Sequence, residues 1–305
     1  MPAIDIQGLT KRYGALAAVD DLSFSVDRGA VVGFLGPNGA GKTTTLRVLL
    51  GLARPTAGTA TIDGVPYHAL RDPLRHVGAV LEASSFYPAR SARDHLRVLA
   101  AAGGVSPARV GAVLDLVGLS ADARRHVGGF SLGMRQRLGI AAAMLGDPEV
   151  LILDEPANGL DPEGVRWLRD LVRGLAGEGR TVLISSHILA EMAQTVDSVV
   201  IITRGRLVAQ SSLAELTAGM GQRVVRVRTP RARELGAALG GDGVAVTYHD
   251  ADRLEITGAT PEQVGLLAAR LQIPILESTS ETPRLEDVFF ELTEPGSHES
   301  REVAR

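Results

Sequence analysis

The feature that most constrains this chain is a glycine-rich segment that matches the phosphate-loop pattern G-x-x-x-x-G-K-[ST]. The segment consists of Gly36, Pro37, Asn38, Gly39, Ala40, Gly41, Lys42, Thr43 and Thr44. Lys42 is one of only two lysines in the chain, and arginine supplies the positive charge elsewhere. A compact ammonium group reaches the oxygens of a phosphate chain held by closely packed amides, where a planar guanidinium is too wide. The lysine therefore predicts a phosphate-binding loop.

The residues around this loop predict that it joins a buried strand to a helix. The apolar run 31–35 precedes it, and residues 42–52 have the length and leucine spacing of a helix. Glycines let successive N–H groups point into one concavity, and the helix N-terminus adds about half a positive charge there. We expect Lys42 to neutralise terminal phosphates and the Thr43 hydroxyl to bind Mg²⁺. The predicted ligand is a nucleoside triphosphate.

The composition argues against several other classes of protein. The net charge is −3 at pH 7, which argues against a dedicated nucleic-acid surface. The chain has no cysteine, which excludes disulfides and thiolate metal sites and fits a reducing cytosol. No uninterrupted apolar stretch reaches the roughly 18 residues of a membrane span. We expect a soluble chain that reaches any membrane through a partner.

The spacing of apolar residues predicts an α/β core. Residues 4–64 have the pattern of strands and turns, and helical segments follow at 92–102, 107–117 and 132–146. Two short apolar runs, 150–155 and 181–187, then flank an amphipathic helix at 162–178. This βαβ order predicts parallel central strands.

The pattern changes near residues 216–222 and predicts a second, smaller α+β domain. The sequence favours strands at 223–228, 244–248 and 254–257, and helices at 231–239, 261–271 and 283–292. The predicted boundaries are 1–218 for a nucleotide-binding domain with a helical subdomain at about 88–147, 219–293 for the accessory domain, and 294–305 for a flexible tail.

Two acidic residues, Asp154 and Glu155, end the apolar run that begins at Val150. Mg²⁺ needs a carboxylate partner, and an attacking water needs an oriented acceptor for its proton. We expect Asp154 to hold the metal and Glu155 to polarise the water. His187 ends the next apolar run, where we expect it to hydrogen-bond the γ-phosphate.

These residues resemble the motifs of one family, the ATP-binding cassette (ABC) ATPases. The phosphate loop is similar to the family's Walker A, and residues 151–156, Leu-Ile-Leu-Asp-Glu-Pro, are similar to its Walker B. Residues 158–161, which end in Asp161, resemble the D-loop. His187 resembles the switch histidine and Tyr13 the aromatic residue that stacks on adenine. Residues 130–134, Phe-Ser-Leu-Gly-Met, resemble the family signature before a helix, and the resemblance covers roughly residues 2–215.

The resemblance implies that the chain binds ATP and Mg²⁺ and hydrolyses ATP with Glu155 and His187. It also implies an N-terminal antiparallel β region beside the parallel sheet. Ser131 is a good N-cap, and Gly133 lets its backbone approach an anion closely. In the family this segment completes the ATP site of the opposite subunit, so the implied partner is a second cassette, most simply a second copy. Integral-membrane permease subunits are the other implied partner, and they would hold this cytoplasmic chain at the inner face of the cell membrane.

Two departures from the family pattern concern the nucleotide site. Leu132 and Met134 stand where the signature usually has glycine and glutamine. Glu82 stands at the Q-loop glutamine; its carboxylate can coordinate Mg²⁺, but it adds negative charge and cannot donate a hydrogen bond. The rate of hydrolysis is therefore left open. Phe86 and Tyr87 lie where the family's permease docks, and packing against the helical insert is the alternative for both.

Other candidate residues favour structural explanations. In the arginine-rich run 223–233, Val225 and Val227 alternate with arginines. This alternation is typical of a half-buried strand with one solvated face, and we favour such a strand over an anion-binding surface. The histidines other than His187 show no spacing typical of a metal cluster.

The leading hypothesis is a transport ATPase that dimerises on ATP and drives a separate permease. The residue Glu82, the altered signature and residues 285–292 resemble cassettes of bacterial exporters of drugs, antibiotics or similar compounds. An importer's cassette is one alternative. A soluble ABC protein acting on nucleic acid or ribosomes is another, but such proteins usually need tandem cassettes or a long insertion. We expect no nucleic-acid partner.

Overall fold

The computed structural model describes residues 1–81, 86–218, 224–240 and 243–281. The chain divides into two compact units between Leu213 and Ala214. Glu82, the helix predicted at 283–292 and the tail 294–305 lie outside the described residues. Each unit has its own buried core.

The first unit is built on two sheets. Its described strands are β1 (Ile4–Tyr13), β2 (Leu16–Val26), β3 (Val31–Leu35), β4 (Ala57–Ile62), β5 (Val77–Val80), β6 (Val150–Asp154), β7 (Thr181–Ser186), β8 (Ser198–Thr203) and β9 (Arg206–Ser212). The central sheet has the order β5-β6-β7-β3-β8-β9, and only β9 runs antiparallel to its neighbour among these strands. Every residue of β3, β6 and β7 is buried, as is typical of parallel strands covered on both faces. The predicted parallel core is confirmed.

The second sheet of this unit is antiparallel, in the order β2-β1-β4. Its apolar side chains join those of the central sheet in one core. Phe24 of β2 and Phe34 of β3 meet there, with ring centroids 5.2 Å apart. The N-terminal antiparallel region that the resemblance implied is therefore present.

The helices of the first unit begin where the sequence supplies caps. They are α1 (Lys42–Leu49), α2 (Pro73–His76), α3 (Ala92–Ala102), α4 (Ala108–Leu116), α5 (Leu132–Ala143), α6 (Pro162–Gly177) and α7 (Leu189–Met192). The Ser91 side chain accepts a hydrogen bond from the Asp94 N–H and caps α3, which has the predicted bounds. The prediction for α1 was too long, because Gly51 adopts φ +70° and the helix ends before it. No helix in the described ranges has the length and apolar character needed to cross a membrane.

The second unit contains a four-stranded antiparallel sheet and two longer helices. Its elements are α8 (Leu213–Ala218), which starts at the boundary, then β10 (Val224–Arg228), α9 (Ala232–Leu239), β11 (Ala245–Tyr248), β12 (Arg253–Thr257), α10 (Pro261–Arg270) and β13 (Glu277–Glu281). The strand order β11-β12-β10-β13 and the βαββαβ sequence of elements give a split βαβ arrangement. Strand β13, which pairs with β10, was not predicted from the sequence.

A close approach between β5 and α5 gives a test of this packing. An added Cβ at Gly78 would overlap the carbonyl oxygen of Ala143. We expect Gly78→Ala to lower the free energy of unfolding by roughly 2 kcal/mol, because one element must shift. Urea denaturation followed by circular dichroism measures this change.

The matched control is Gly174→Ala in α6, where an added Cβ meets no atom within 4 Å. That variant should gain up to about 1 kcal/mol of stability, because alanine is the better helix former. Equal stability of Gly78→Ala and the unchanged chain would contradict the close approach.

Candidate functional site

The phosphate loop lies at the carboxyl end of β3 and leads directly into α1. An added Cβ at Gly36 would lie 2.5 Å from the carbonyl oxygen of Ile202, and one at Gly41 would overlap that of Ala18. Gly41 also has φ +106°, which residues with a side chain rarely adopt. Glycine at both positions therefore lets the loop lie against the sheet. Its tip, residues 37–39, is exposed, while Thr43 and Thr44 are partly buried.

The Lys42 side chain is 6% exposed and lies along the loop. Its Nζ atom donates a hydrogen bond to the Gly36 carbonyl oxygen at 2.7 Å and lies 3.2 Å from Glu155 Oε1. The ammonium group therefore lies between the phosphate loop and the carboxyl end of β6. This position concentrates positive charge beside the N-terminus of α1, which favours an anionic ligand.

Asp154 is the buried acidic residue of the site. Its Oδ2 atom accepts a hydrogen bond from Thr43 Oγ1 at 2.7 Å, and its Oδ1 atom accepts one from Ser185 Oγ. The carboxylate and hydroxyl oxygens of Asp154 and Thr43 are the hard ligands that Mg²⁺ prefers. With Lys42 and the loop amides beside them, these residues fit a nucleoside triphosphate and its Mg²⁺ ion.

Glu155 connects two other residues of the site. Its Oε2 atom lies 2.9 Å from His187 Nδ1, and its Oε1 atom faces Lys42. The backbone at Glu155 has φ +48°, and its N–H donates to Ser185 Oγ at 2.9 Å. The strained backbone and this hydrogen bond direct the carboxylate toward the phosphate loop. The arrangement therefore brings together a carboxylate, an ammonium group and an imidazole.

Ser185 is a site residue that the sequence reasoning missed. It pairs in register with Asp154 across β6 and β7, and its hydroxyl contacts both acidic residues through Asp154 Oδ1 and the Glu155 N–H. The available signal was a serine two positions before His187 at the end of an apolar strand. Its partner could be identified only once the strand pairing was known.

The signature and D-loop residues form a second cluster. Ser131 caps α5 by accepting from the Met134 N–H at 3.2 Å, and Asp161 caps α6 by accepting from the Gly164 N–H at 2.8 Å. Ser131, Gly133 and Asp161 line one cavity of about 440 Å³, and its lining includes no phosphate-loop residue. The cap formed by Asp161 was also missed, although an aspartate directly before Pro162 is a typical helix start.

Four other predicted residues lie apart from these clusters or outside the described residues. Tyr13 ends β1 and is 50% exposed, with Lys11 Nζ 4.8 Å from its ring centroid. Its contact with adenine stays a prediction, as does the role of Glu82, which lies outside the described residues. Phe86 packs edge-on against His95, whose pKa is lowered by burial and by nearby Arg90, whereas Tyr87 is exposed. This contact supports the packing alternative for Phe86.

One further group of metal-ligating side chains was not visible in the sequence spacing. Asp63, His76 and Glu149 bring one ligand atom each within 4.8 Å of one another. Arg28 lies 2.6 Å from Asp63 and 3.7 Å from Glu149. The guanidinium group already supplies positive charge here, so this group is explained as an ion-pair network.

Leu132, which stands where the signature usually has glycine, makes a contact that a glycine has no side chain to make. An added Cβ at Gly159 would overlap Leu132 Cδ2, and Gly159 has φ +75°. The leucine side chain therefore lies over the turn that carries Asp161. In this chain the start of α5 and the D-loop turn pack directly against each other.

Comparisons with known proteins agree with the site. A family model described as ABC transporter matches residues 19–158, and one described as a domain of unknown function matches residues 223–286. The chain is 48% identical over 205 residues to the bacitracin transport ATP-binding protein BcrA of Bacillus licheniformis, covering 66% of this chain and 67% of the relative. It is 37% identical over 313 residues to the Nod factor export ATP-binding protein I of Ralstonia nicotianae, covering 96% and 94%. A solved structure described as the ATP-binding subunit of an ABC transporter has 32% identity and a TM-score of 0.64, covering 71% and 92%.

The contact between Leu132 and Gly159 predicts coupled effects of substitution. Gly159→Ala should destabilise the fold through steric overlap and an unfavourable backbone angle, whereas Leu132→Ala should relieve the overlap. We therefore expect a coupling energy of about 1 kcal/mol between the two substitutions in a double-mutant cycle of unfolding free energies.

The control pairs Leu132→Ala with Gly104→Ala. Gly104 also has positive φ, but an added Cβ there meets no atom within 4 Å. The changes in unfolding free energy of Leu132→Ala and Gly104→Ala should be additive. If the changes for Leu132→Ala and Gly159→Ala were additive too, the contact between these two residues would have no energetic role.

Proposed function

The chain belongs to the ATP-binding proteins of ABC transporters and is thus the ATPase subunit of a transporter, and we propose that it powers export of an antibiotic through a separate permease. The observation that carries the choice of cargo is the 48% identity to a bacitracin transport ATP-binding protein. The relative whose name specifies Nod factor export makes a Nod factor the second candidate cargo.

We assign nucleotide binding to the phosphate loop. The ammonium group of Lys42 is held close to the loop, so it can pair with terminal phosphate oxygens without a large movement. The N-terminus of α1 and the loop amides add to this attraction. Tyr13, which is half exposed, is the proposed platform for adenine.

Thr43 and Asp154 are the proposed ligands of Mg²⁺. When bound, the ion would offset negative charge on the phosphates and fix their geometry. Ser185 keeps the Asp154 carboxylate oriented by donating to its second oxygen. One carboxylate oxygen of Asp154 therefore contacts Ser185 of β7, and the other faces Thr43 and the ligand.

Glu155 is the proposed general base for ATP hydrolysis. Its carboxylate would accept a proton from the attacking water, and its Oε1 atom lies 3.2 Å from the Lys42 ammonium group, beside the phosphate loop. His187 contacts the other carboxylate oxygen and thereby limits rotation of the side chain. The pair Glu155 and His187 would hold the water in line with the terminal phosphate.

A second copy of the chain is the proposed partner for the signature cluster. Ser131 and Gly133 line a cavity that excludes the phosphate loop of the same chain, which supports their use at the site of an opposing cassette. Asp161 lines the same cavity and would enter that interface with them. Closure of the two copies on ATP would move permease subunits, which would hold the chain at the inner face of the membrane.

Substitution of the proposed base tests the catalytic assignment. Glu155→Gln keeps the shape of the side chain but removes its basicity, so we expect ATP turnover to fall by on the order of 100-fold or more. ATP affinity should persist, and the variant should accumulate as an ATP-bound dimer. Phosphate release and size-exclusion chromatography with light scattering measure these two properties.

The control for this substitution is Glu149→Gln, which makes the same chemical change at an exposed residue just before β6. It should keep the turnover of the unchanged chain. Ordinary phosphate release by Glu155→Gln would remove Glu155 from the role of base.

Reconstitution tests the proposed cargo. The chain and candidate permeases would be placed in inside-out vesicles with ATP and labelled bacitracin. We expect ATP-dependent accumulation of bacitracin and a stimulated rate of hydrolysis, both absent with Glu155→Gln. Accumulation of a labelled Nod factor in its place would favour the second candidate and contradict antibiotic export.

A further inference from the structure

The two faces of the sheet in the second unit differ in character. Val225, Val227 and Leu254 are buried against the helices α9 and α10. Because side chains alternate along a strand, Arg226 and Arg228 of β10 lie on the opposite face. The same alternation places charged residues of β12 and β13 beside them. One face therefore forms a core, and the other carries a charged layer.

This charged face forms a cavity of about 520 Å³. Its charged and titratable lining consists of Arg226, Arg228, His249, Asp250, Arg253, Glu255 and Glu277. The sequence alternation predicted a solvated face here, and the structure shows that this face is concave.

In one half of the cavity, the positive and negative charges of the lining side chains compensate each other. Arg226 Nε donates to Glu255 Oε2 at 3.1 Å, and His249 Nε2 lies 3.3 Å from the same oxygen. The hydrogen bond from Arg226 holds the pKa of Glu255 below its usual value, so this carboxylate is ionised at neutral pH. The positive charge of Arg226 is therefore already compensated.

The other half contains two guanidinium groups, Arg228 and Arg253, and two carboxylates, Asp250 and Glu277. Arg228 and Arg253 stand directly opposite each other in the pairing of β10 and β12, and like charges in this position destabilise a sheet. Glu277 approaches Arg228 Nε only to 3.6 Å, and this buried nitrogen has no hydrogen-bond acceptor among the described residues. Arg253 is exposed and forms no ion pair with any residue in the described ranges. Although Asp250 and Glu277 line the cavity, neither opposed arginine forms an ion pair shorter than 3.6 Å with them in the described ranges.

We propose that Arg228 and Arg253 form a binding site for a compact oxyanion, a carboxylate or a phosphate group, on the open face of the second unit's sheet. A planar guanidinium group presents paired N–H donors that match two oxygens of such an anion. A bound anion would supply the missing acceptor for Arg228 and offset the repulsion between the two arginines. The ligand is a small molecule of this chemistry, and the site is separate from the phosphate loop in sequence and in structural unit.

The same face is a poor platform for single-stranded nucleic acid, which usually needs exposed aromatic rings for base stacking. The aromatic residue of β11, Tyr248, faces away from the cavity, since an added Cβ at Gly236 of α9 would overlap its hydroxyl. The residues that line the cavity include no phenylalanine, tyrosine or tryptophan, and the imidazole of His249 lies against Glu255.

Calorimetric titration of the full-length chain tests the proposal. The experiment uses the Lys42→Ala background, so that the phosphate loop contributes little to phosphate binding. Inorganic phosphate and succinate are the two probes, and we expect one site with a Kd on the order of 1 mM or tighter for at least one of them. Binding of phosphate alone would identify a phosphate-bearing ligand, and binding of succinate alone a carboxylate.

Substitutions in this background identify the residues. Arg253→Gln should weaken binding by about ten-fold, as should Arg228→Gln, because each removes a charged donor pair. Arg233→Gln makes the same change in charge on the exposed part of α9 and should leave the affinity unchanged.

Stability without added anion separates a binding role from a structural one. Arg253→Gln removes one of two opposed charges, so its midpoint of urea unfolding should be equal to or higher than that of the parent chain. Loss of binding with an unchanged or raised midpoint supports the site. Absence of binding by both probes up to about 10 mM, or equal weakening by Arg233→Gln, would overturn it.

Discussion

The parallel pairing of β3, β6 and β7 is the constraint on which the catalytic arrangement depends. It brings the carboxyl ends of three strands to one edge, where the phosphate loop, the acidic pair and His187 all begin. The register of Asp154 with Ser185 then allows one serine hydroxyl to contact both acidic residues. A shift of that register by one residue would turn Ser185 to the opposite face of the sheet and separate it from the carboxylate.

The sequence predicted elements well where apolar spacing and caps agree. Helix α3 has the predicted bounds because Ser91 supplies its cap and buried residues such as Leu96 recur on one face. Strand β13 was missed because its sequence, Glu-Ser-Thr-Ser-Glu, has no apolar alternation. Among the described strands it lies at the sheet edge and pairs with β10 alone, so backbone hydrogen bonds define it more than side-chain burial does.

For the candidate site, the sequence identified the loops but not their internal contacts. Lys42, Asp154 and Glu155 could be found because each belongs to a local pattern, and the structure brings them together. Ser185 could not, because its role depends on pairing between distant strands. The contact of Leu132 with Gly159 could not be predicted for the same reason. The sequence showed the unusual leucine in the signature, but not that its side chain lies over Gly159. The chemical roles of these residues stay predictions until the substitutions are measured.

The left-handed backbone at Glu155 has a consequence for how this protein could evolve. A non-glycine residue in this conformation costs about 1 kcal/mol or more, so the most favourable residue for the turn itself would be glycine. With Glu155 in its proposed role as base, selection for an unstrained turn and selection for ATP turnover act in opposite directions at this codon. A lineage that no longer needed ATP turnover would lose the selection that keeps a glutamate in this strained conformation, and the contact of Glu155 with Lys42 would then be the main reason to retain it.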